Sequence, residues 1–419
     1  MAPTAFLARQ PIFDDGLHVV GYELLYRSSE RNEFDGSDAA QATAATILHY
    51  LTTFGIEKLT RGCHAFINID KETLLNGDVA LLPAGHVVIE LLETIDVDAD
   101  VVEACQRLVG AGYRIALDDF RPDSSNRRLL PLAEIVKFDF RDSQPQERRS
   151  FRAECRGLHL QFLAEKLEDW RDVAAARGEG FGLYQGFFYA RPEVVRRPGL
   201  NRTKAGALRL MQLMAQPELD FREVEDLFSR ELEYSYRLLR YLNSAAFGLT
   251  GKVRSIRQAL VLLGESGIRR FASLLTMTML GVGKPQELIV SSVLRGRHCE
   301  LIAEKAGPGT SPGSCFITGL FSALDALLDQ PMDSALEGLA LDDQIVSALR
   351  GESNRQRAIL ELAHAHERGD WDRIDAAARQ LGIEPKLVAE AYVEALTWAQ
   401  GLDSDGCEAA AAGTVTPSN

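Results

Sequence analysis

Seven short apolar segments of the chain each carry a polar group at or near their end. Glu23 lies in GYELLYR, Asn68 interrupts FINI, Glu90 closes VVIE, and Asp118-Asp119 close IALDD. Lys137 sits in IVKFD, Glu165 follows LQFLA, and Gln185 lies in LYQGFF. A single carboxylate after an apolar run is most often a helix cap. An amide inside an apolar run is harder to dismiss, because a buried amide needs partners. Gathered on one face, Glu23, Asn68, Glu90, Asp118, Asp119 and Glu165 offer only hard oxygen donors, which suit Mg²⁺ or Mn²⁺ rather than zinc. Five clustered carboxylates repel and raise each other's pKa unless cations compensate them. Such a set can hold two metals, polarise a phosphodiester and acidify a water between them. Lys137 among them could orient that water or help deprotonate it, with Arg27 and Gln10 facing the ligand's phosphate and base.

A fold that gathers these groups must bring several strand ends to one rim. The apolar runs Phe6–Phe13, Val19–Leu25, Ala65–Ile69, His86–Leu91, Arg114–Asp118, Ile135–Phe138, Leu158–Ala164 and Leu183–Tyr189 read as strands. Amphipathic stretches such as Ala39–Tyr50, Val101–Gly110 and Asp169–Arg177 lie between them. Alternation of strands with helices predicts a mainly parallel sheet. Asp14-Asp15-Gly16 is a hairpin signal that makes the first pair antiparallel. The expectation is an α/β fold, a modified TIM-type (β/α)8 barrel with its active face at the strand C-termini.

From about Thr203 the texture turns to Leu, Ala, Arg and Glu at helical spacing, which predicts an all-helical second domain. The boundary falls around 191–201, where prolines and a glycine interrupt the pattern. The expected organisation is a barrel over 1–198, a helical domain over 203–402 and a disordered tail over 403–419.

Composition narrows the function. Lys and Arg number 46 against 60 Asp and Glu, a formal charge of −14, so bulk nucleic-acid binding through a basic surface is not expected. Six widely spaced cysteines (Cys63, Cys105, Cys155, Cys299, Cys315, Cys407) form no CxxC pair and point to a reducing compartment. No apolar run reaches the length of a membrane span, and a cytoplasmic location is expected.

The ordered segments RQPI (Arg9–Ile12), GYELLYR, FINID, IELLE, LDDF (Leu117–Phe120), VKFD (Val136–Asp139), AEKLE (Ala164–Glu168) and QGFFYARP (Gln185–Pro192) resemble the EAL domain, the cyclic di-GMP phosphodiesterase barrel, over residues 5–192. The resemblance implies that Glu23, Asn68, Glu90, Asp118, Asp119 and Glu165 are ligands of a two-metal Mg²⁺ or Mn²⁺ site, with Glu23 and Glu165 catalytic beside Lys137, the water-activating lysine. It makes Gln10, Arg27 and Gln185 substrate-binding or site-supporting groups. Glu93 would brace the loop after Asp119, and Glu168 would stand behind the ligands. Two segments depart from the family: Leu24 replaces the usual Ala, and FRPDSSNRR replaces a Gly-rich loop that couples metal binding to dimerisation, so a homodimer stays open.

Residues 203–400 resemble the HDOD domain through LLRYLNSAAFG (Leu238–Gly248), VRSIRQALVLLG (Val253–Gly264) and ITGLFSALDALL (Ile317–Leu328). Ser322 and Ala323 stand where HD-type relatives carry a His-Asp pair, and His298, His364 and His366 do not restore it. This half reads as a module for an unknown protein partner, with Asn243-Ser244 as a candidate contact. Two functions stay open from the sequence: a phosphodiesterase opening cyclic di-GMP to pGpG, or a receptor or scaffold that acts without turnover.

Overall fold

The computed structural model describes residues 6–27, 55–193 apart from 123, part of 206–214, 219–242 apart from 231, 253, and 255–402 apart from 338 and 340. The expected helix at 39–50, the pair Asn243-Ser244 and the segment 403–419 lie outside the described residues. The chain divides into two compact units. One comprises Met1–Arg191 with Ala365–Ile374, the other Pro192–His364 with Asp375–Asn419.

The first unit is a closed barrel of eight strands in chain order: β1 (Phe6–Asp14), β2 (Val19–Arg27), β3 (His64–Ile69), β4 (Val87–Leu91), β5 (Arg114–Leu117), β6 (Ile135–Asp139), β7 (Gln161–Leu167) and β8 (Leu183–Gly186). β1 runs antiparallel to both β2 and β8, and the other neighbours are parallel. The hairpin signal accounts for this. Asp14 receives the Leu17 amide on its carbonyl and the His18 amide on its carboxylate, 3.0 and 2.9 Å away, which reverses the chain.

Side chains of period two fill the barrel interior. Ile12, Phe66, Val88, Ala116, Ile135, Leu163 and Leu183 form one buried apolar layer that acts as a floor. β2 contributes Gly21 at this level. A Cβ there would stand 2.4 Å from the Phe66 ring, so the glycine is the space that the phenyl group occupies.

Several strand ends differ from the sequence expectation, two of them with a clear local cause. β7 starts at Gln161 rather than Leu158: Leu158 closes a 3-10 turn over Cys155–Gly157, and the Gln161 amide is the one that meets Glu134 O, at 2.8 Å. β8 stops at Gly186 instead of continuing to Tyr189. Gly186 has φ 144°, and a Cβ there would lie 2.1 Å from Leu167 O, so the chain turns off the sheet into a short 3-10 turn at Phe188–Ala190.

Among its described residues the second unit contains helices and no strand. Its most buried helix, Gln286–Lys305, packs against Pro312–Phe321 and Pro385–Leu402. His298 on that helix is fully buried, donates from Nε2 to Val388 O at 3.0 Å, and meets the Tyr392 ring edge-on. Burial lowers its pKa to about 4, with the bond to Val388 opposing. No helix among the described residues is long and apolar enough to cross a membrane.

Two outcomes follow for stability. Gly21→Ala should lower the unfolding free energy by about 1–3 kcal/mol through overpacking, and adding Phe66→Leu should recover part of that loss in a urea titration. Because the folded pKa of His298 lies below the unfolded value near 6.5, its neutral form supports the fold above pH 6.5, and that support is lost as pH falls towards 4. Between pH 7 and pH 5 this amounts to about 2 kcal/mol, and His298→Gln should remove that part of the pH dependence.

Candidate active site

The polar groups singled out by the sequence stand one layer above the apolar floor. Two residues beyond the floor position, the parallel strands and β2 carry Glu23, Asn68, Glu90, Asp118, Lys137, Glu165 and Gln185. On the antiparallel β1 the equivalent step backwards gives Gln10, which pairs with Glu23 across the β1–β2 ladder. The alternation of a strand puts each of them on the inner face.

Lys137 stands at the centre. Its ammonium lies 2.6 Å from Asp118 Oδ1, 2.8 Å from Glu90 Oε1, 3.3 Å from Glu23 Oε2 and 3.4 Å from Glu165 Oε2. The lysine and three of its four partners are buried to within a tenth of full burial, with Asp118 only slightly more open. Burial alone would strip the proton from Lys137, but the four carboxylates outweigh it and hold its pKa well above the usual lysine range. As placed, Lys137 is therefore a hydrogen-bond donor and not a base.

The carboxylates divide by their partners. Burial pushes Glu23 up, yet Lys137 together with hydrogen bonds from Gln185 Nε2 (2.5 Å) and Asn68 Nδ2 (2.9 Å) brings it below its usual value. Gln185 Nε2 also reaches Gln10 Oε1 at 3.3 Å, so these amides fix the orientation of Glu23. Glu90 is raised well above its usual value by burial and by the Glu23 charge, with Lys137 opposing. Burial likewise raises Asp118 and Glu165 despite Lys137, and Asp119 adds to the rise at Glu165.

Four buried oxygens here have no hydrogen-bond donor: Asn68 Oδ1, Glu90 Oε2, Glu165 Oε1 and Gln185 Oε1. Glu90 Oε1 and Asp118 Oδ1 have only the shared Lys137 ammonium, at 2.8 and 2.6 Å. Buried polar atoms are normally satisfied, and a set of unsatisfied carboxylate and amide oxygens fits a hard divalent cation. With the ammonium at their centre, no three acids among the described residues already converge as a metal cage.

Asp118 and Asp119 play different parts. The Asp118 amide donates to Leu91 O of β4 at 3.0 Å, whereas the Phe120 amide donates to Lys137 O of β6 at 2.9 Å. Changing neighbours within two residues forces Asp119 to φ 39°, a left-handed conformation that aspartate tolerates better than most residues. Phe120 is buried against Phe151 and Phe138 and anchors the loop. The unusual segment beyond it is tied down by Arg127–Glu154 (2.6 Å), Arg121–Asp142 (3.0 Å) and Arg128 Nη1 to Val97 O (2.9 Å).

Two expected residues, Glu93 and Glu168, stand apart from the cluster. A third, Arg27, ends β2, and its side chain lies outside the described part of the structure. Glu93 is exposed in the turn after β4, where no hydrogen bond or ion pair joins it to the described residues of the loop after Asp119. Its position beyond the end of β4 leaves it outside the inward alternation. Glu168 is exposed and pairs with Arg141 at 3.0 Å, at the rim rather than behind the cluster. Sequence reasoning missed Lys166, which pairs with Asp119 and with Asp139. The available signal was a cation placed directly beside Glu165 in AEKLE.

The helical unit holds no comparable site at its HD-like position. Ser322 accepts from Arg295 Nη1 and donates to Gly319 O, each at 2.7 Å, and Ala323 is buried.

Comparison with known proteins agrees with this division. Residues 201–335 match the HDOD domain family. The chain is 33% identical over 403 residues to the Vibrio cholerae cyclic di-GMP phosphodiesterase CdgJ, covering 96% of this chain and 93% of that protein. It is 34% identical over 407 residues to the uncharacterised Bacillus subtilis protein YuxH, covering 95% and 98%. Among solved structures, Klebsiella pneumoniae BlrP1 in a manganese and cyclic di-GMP complex shares 22% identity over 44% of this chain and 55% of its own, with a TM-score of 0.37.

The charge imbalance predicts a stability effect. A carboxyl whose folded pKa is raised weakens the fold as pH rises above its unfolded value, so the metal-free protein should be less stable at pH 8 than Glu90 protonation would allow. Glu90→Gln, which mimics the neutral form, should raise metal-free stability by about 1–3 kcal/mol. Added divalent cation should raise the thermal unfolding temperature of the wild type and leave that of the variant unchanged.

Proposed function

Because the chain belongs to the EAL–HDOD family of cyclic di-GMP signalling proteins, we propose that it hydrolyses cyclic di-GMP to linear pGpG at the Lys137-centred cluster. The single observation that supports this most is the set of buried oxygens without donors around one ammonium, four carboxylates facing one cation.

In this reading Glu23, Asn68, Glu90, Asp118, Asp119 and Glu165 hold Mg²⁺ or Mn²⁺. When bound, such ions polarise the phosphodiester and acidify the attacking water. The protein's own groups do the rest. Asn68 and Gln185 clamp Glu23, so that its oxygens keep one orientation. Lys137, held protonated, donates to the attacking water and offsets charge that builds on the phosphoryl oxygens. The proton that the water releases passes to a carboxylate of the cluster. One P–O bond forms to water and one breaks, and the released ribose oxygen takes up a proton as the ring opens. The apolar floor seals the lower side, so water reaches the reacting phosphate from the rim only.

The helical unit acts on a protein partner rather than on a substrate of its own, since Ser322 and Ala323 offer no metal ligands.

Incubation of the purified chain with cyclic di-GMP and Mn²⁺ or Mg²⁺ should yield pGpG on chromatography. Glu23→Ala should abolish turnover, and Lys137→Met should lower it by about 10²–10⁴-fold. Metal-dependent binding without turnover in the wild type would replace the enzyme by a receptor. Neither binding nor turnover would leave an interaction scaffold.

A further inference from the structure

Lys166 lies at the mouth of the cluster, on the strand that carries Glu165. Its backbone is at φ 59°, in the left-handed region, where the β7–β8 register shifts between Ala164 and Leu167. A non-glycine residue there costs of order 1–3 kcal/mol and persists when its surroundings hold it. Two ion pairs hold it. Lys166 Nζ lies 3.2 and 3.3 Å from the two oxygens of Asp119 and 2.9 Å from Asp139 Oδ2. Asp139 is itself immobilised, because its other oxygen accepts the amides of Arg141 and Asp142 at 2.9 and 3.0 Å. One end of the bridge is thus fixed to β6, and the free end grips both oxygens of Asp119.

Asp119 is also strained, at φ 39°, and its carboxylate stands beside that of Glu165. Two strained residues therefore meet through one ion pair at the edge of the cluster. Lys137 offsets part of the buried negative charge from within, whereas Lys166 offsets charge at the rim.

We propose that Lys166 is a positioning residue that competes with a divalent cation for Asp119, so that the rim ligand is latched to the protein's own ammonium until a metal displaces it. The inference rests on the reading of the cluster as a metal site and goes beyond it, because it assigns this chain a built-in competitor for one ligand. Among the described residues, the neighbouring cation Arg141 pairs instead with Glu168 and Asp172.

Manganese binding to the full chain, followed by calorimetry and by the electron paramagnetic resonance of free Mn²⁺, tests the latch without any turnover. Lys166→Met should tighten the weaker Mn²⁺ step by about tenfold, and Lys166→Arg should stay near the wild type. Lys166→Gly, which relieves the backbone strain, guards against a folding artefact and should tighten binding like the methionine variant. A general charge effect is separated by two further variants: Lys166→Met added to Asp119→Asn should give no extra tightening, and Arg141→Met should give little. Unchanged or weaker Mn²⁺ binding in both Lys166→Met and Lys166→Gly would overturn the latch while leaving the metal site intact. Equal tightening with and without Asp119 would also overturn it. Failure of the wild type to bind Mn²⁺ at all would overturn the metal reading and the latch with it.

Discussion

One ammonium shared by four buried carboxylates is the constraint on which the rest of the barrel depends. Taking such charges out of water is costly, and attraction within the cluster offsets that cost only where geometry is fixed. The closed sheet supplies the fixing. Each charged side chain rises from a strand whose position is set by two neighbours, and each stands two residues above a floor of packed apolar groups. Neutral amides carry part of the load, since Gln185 and Asn68 donate to Glu23 without adding charge. Even so, four carboxylates against one ammonium leave a formal excess of three negative charges. The cluster is therefore poor as a stabilising element and apt as a site that calls for cations, a trade between stability and function.

Backbone irregularity concentrates where the strands deliver these groups. Asp119, Lys166 and Gly186 all have positive φ, and all lie at or just beyond the C-terminal ends of β5, β7 and β8. Each has a local cause. Asp119 changes hydrogen-bonding neighbours from β4 to β6, Lys166 sits at a register shift, and Gly186 passes against the Leu167 backbone. The floor below is close-packed, with a register shift of its own between Ile12 and Phe13 on the β1–β2 ladder.

Much of this was legible in the sequence because period-two patterning marks both the strand and its inner face. An apolar residue followed two positions later by Glu, Asn, Asp, Lys or Gln recurs on seven strands, and the hairpin at Asp14 announced the antiparallel start. Features that depend on contacts between distant segments were not legible. Gly21 reads as an ordinary strand glycine until the Phe66 ring is seen to fill its place. Phe120 reads as one more hydrophobe, although its packing on Phe138 and Phe151 anchors the loop that bears Asp118 and Asp119. Leu158 was taken into a strand for its apolar character, yet it is one of the more exposed large hydrophobic residues. Glu93 follows Glu90 by three residues, but past the end of β4 that spacing no longer fixes a face. The eclipsed part is thus tertiary, not local.

The formal charges also order the events at the site. Cyclic di-GMP carries two phosphodiester anions, and a chain of net charge −14 with an anionic cluster at the barrel mouth repels it at short range. Arg141 and Arg121 do not reverse this, since each is already paired with a carboxylate beyond a strand end. Divalent ions change the sign of the interaction by neutralising the acids and presenting positive charge to the phosphate. On the proposed reading, metal would have to bind before the substrate, and apparent substrate affinity would then rise with the concentration of free divalent cation. The Lys166–Asp119 pair at the rim would in that case tune the response.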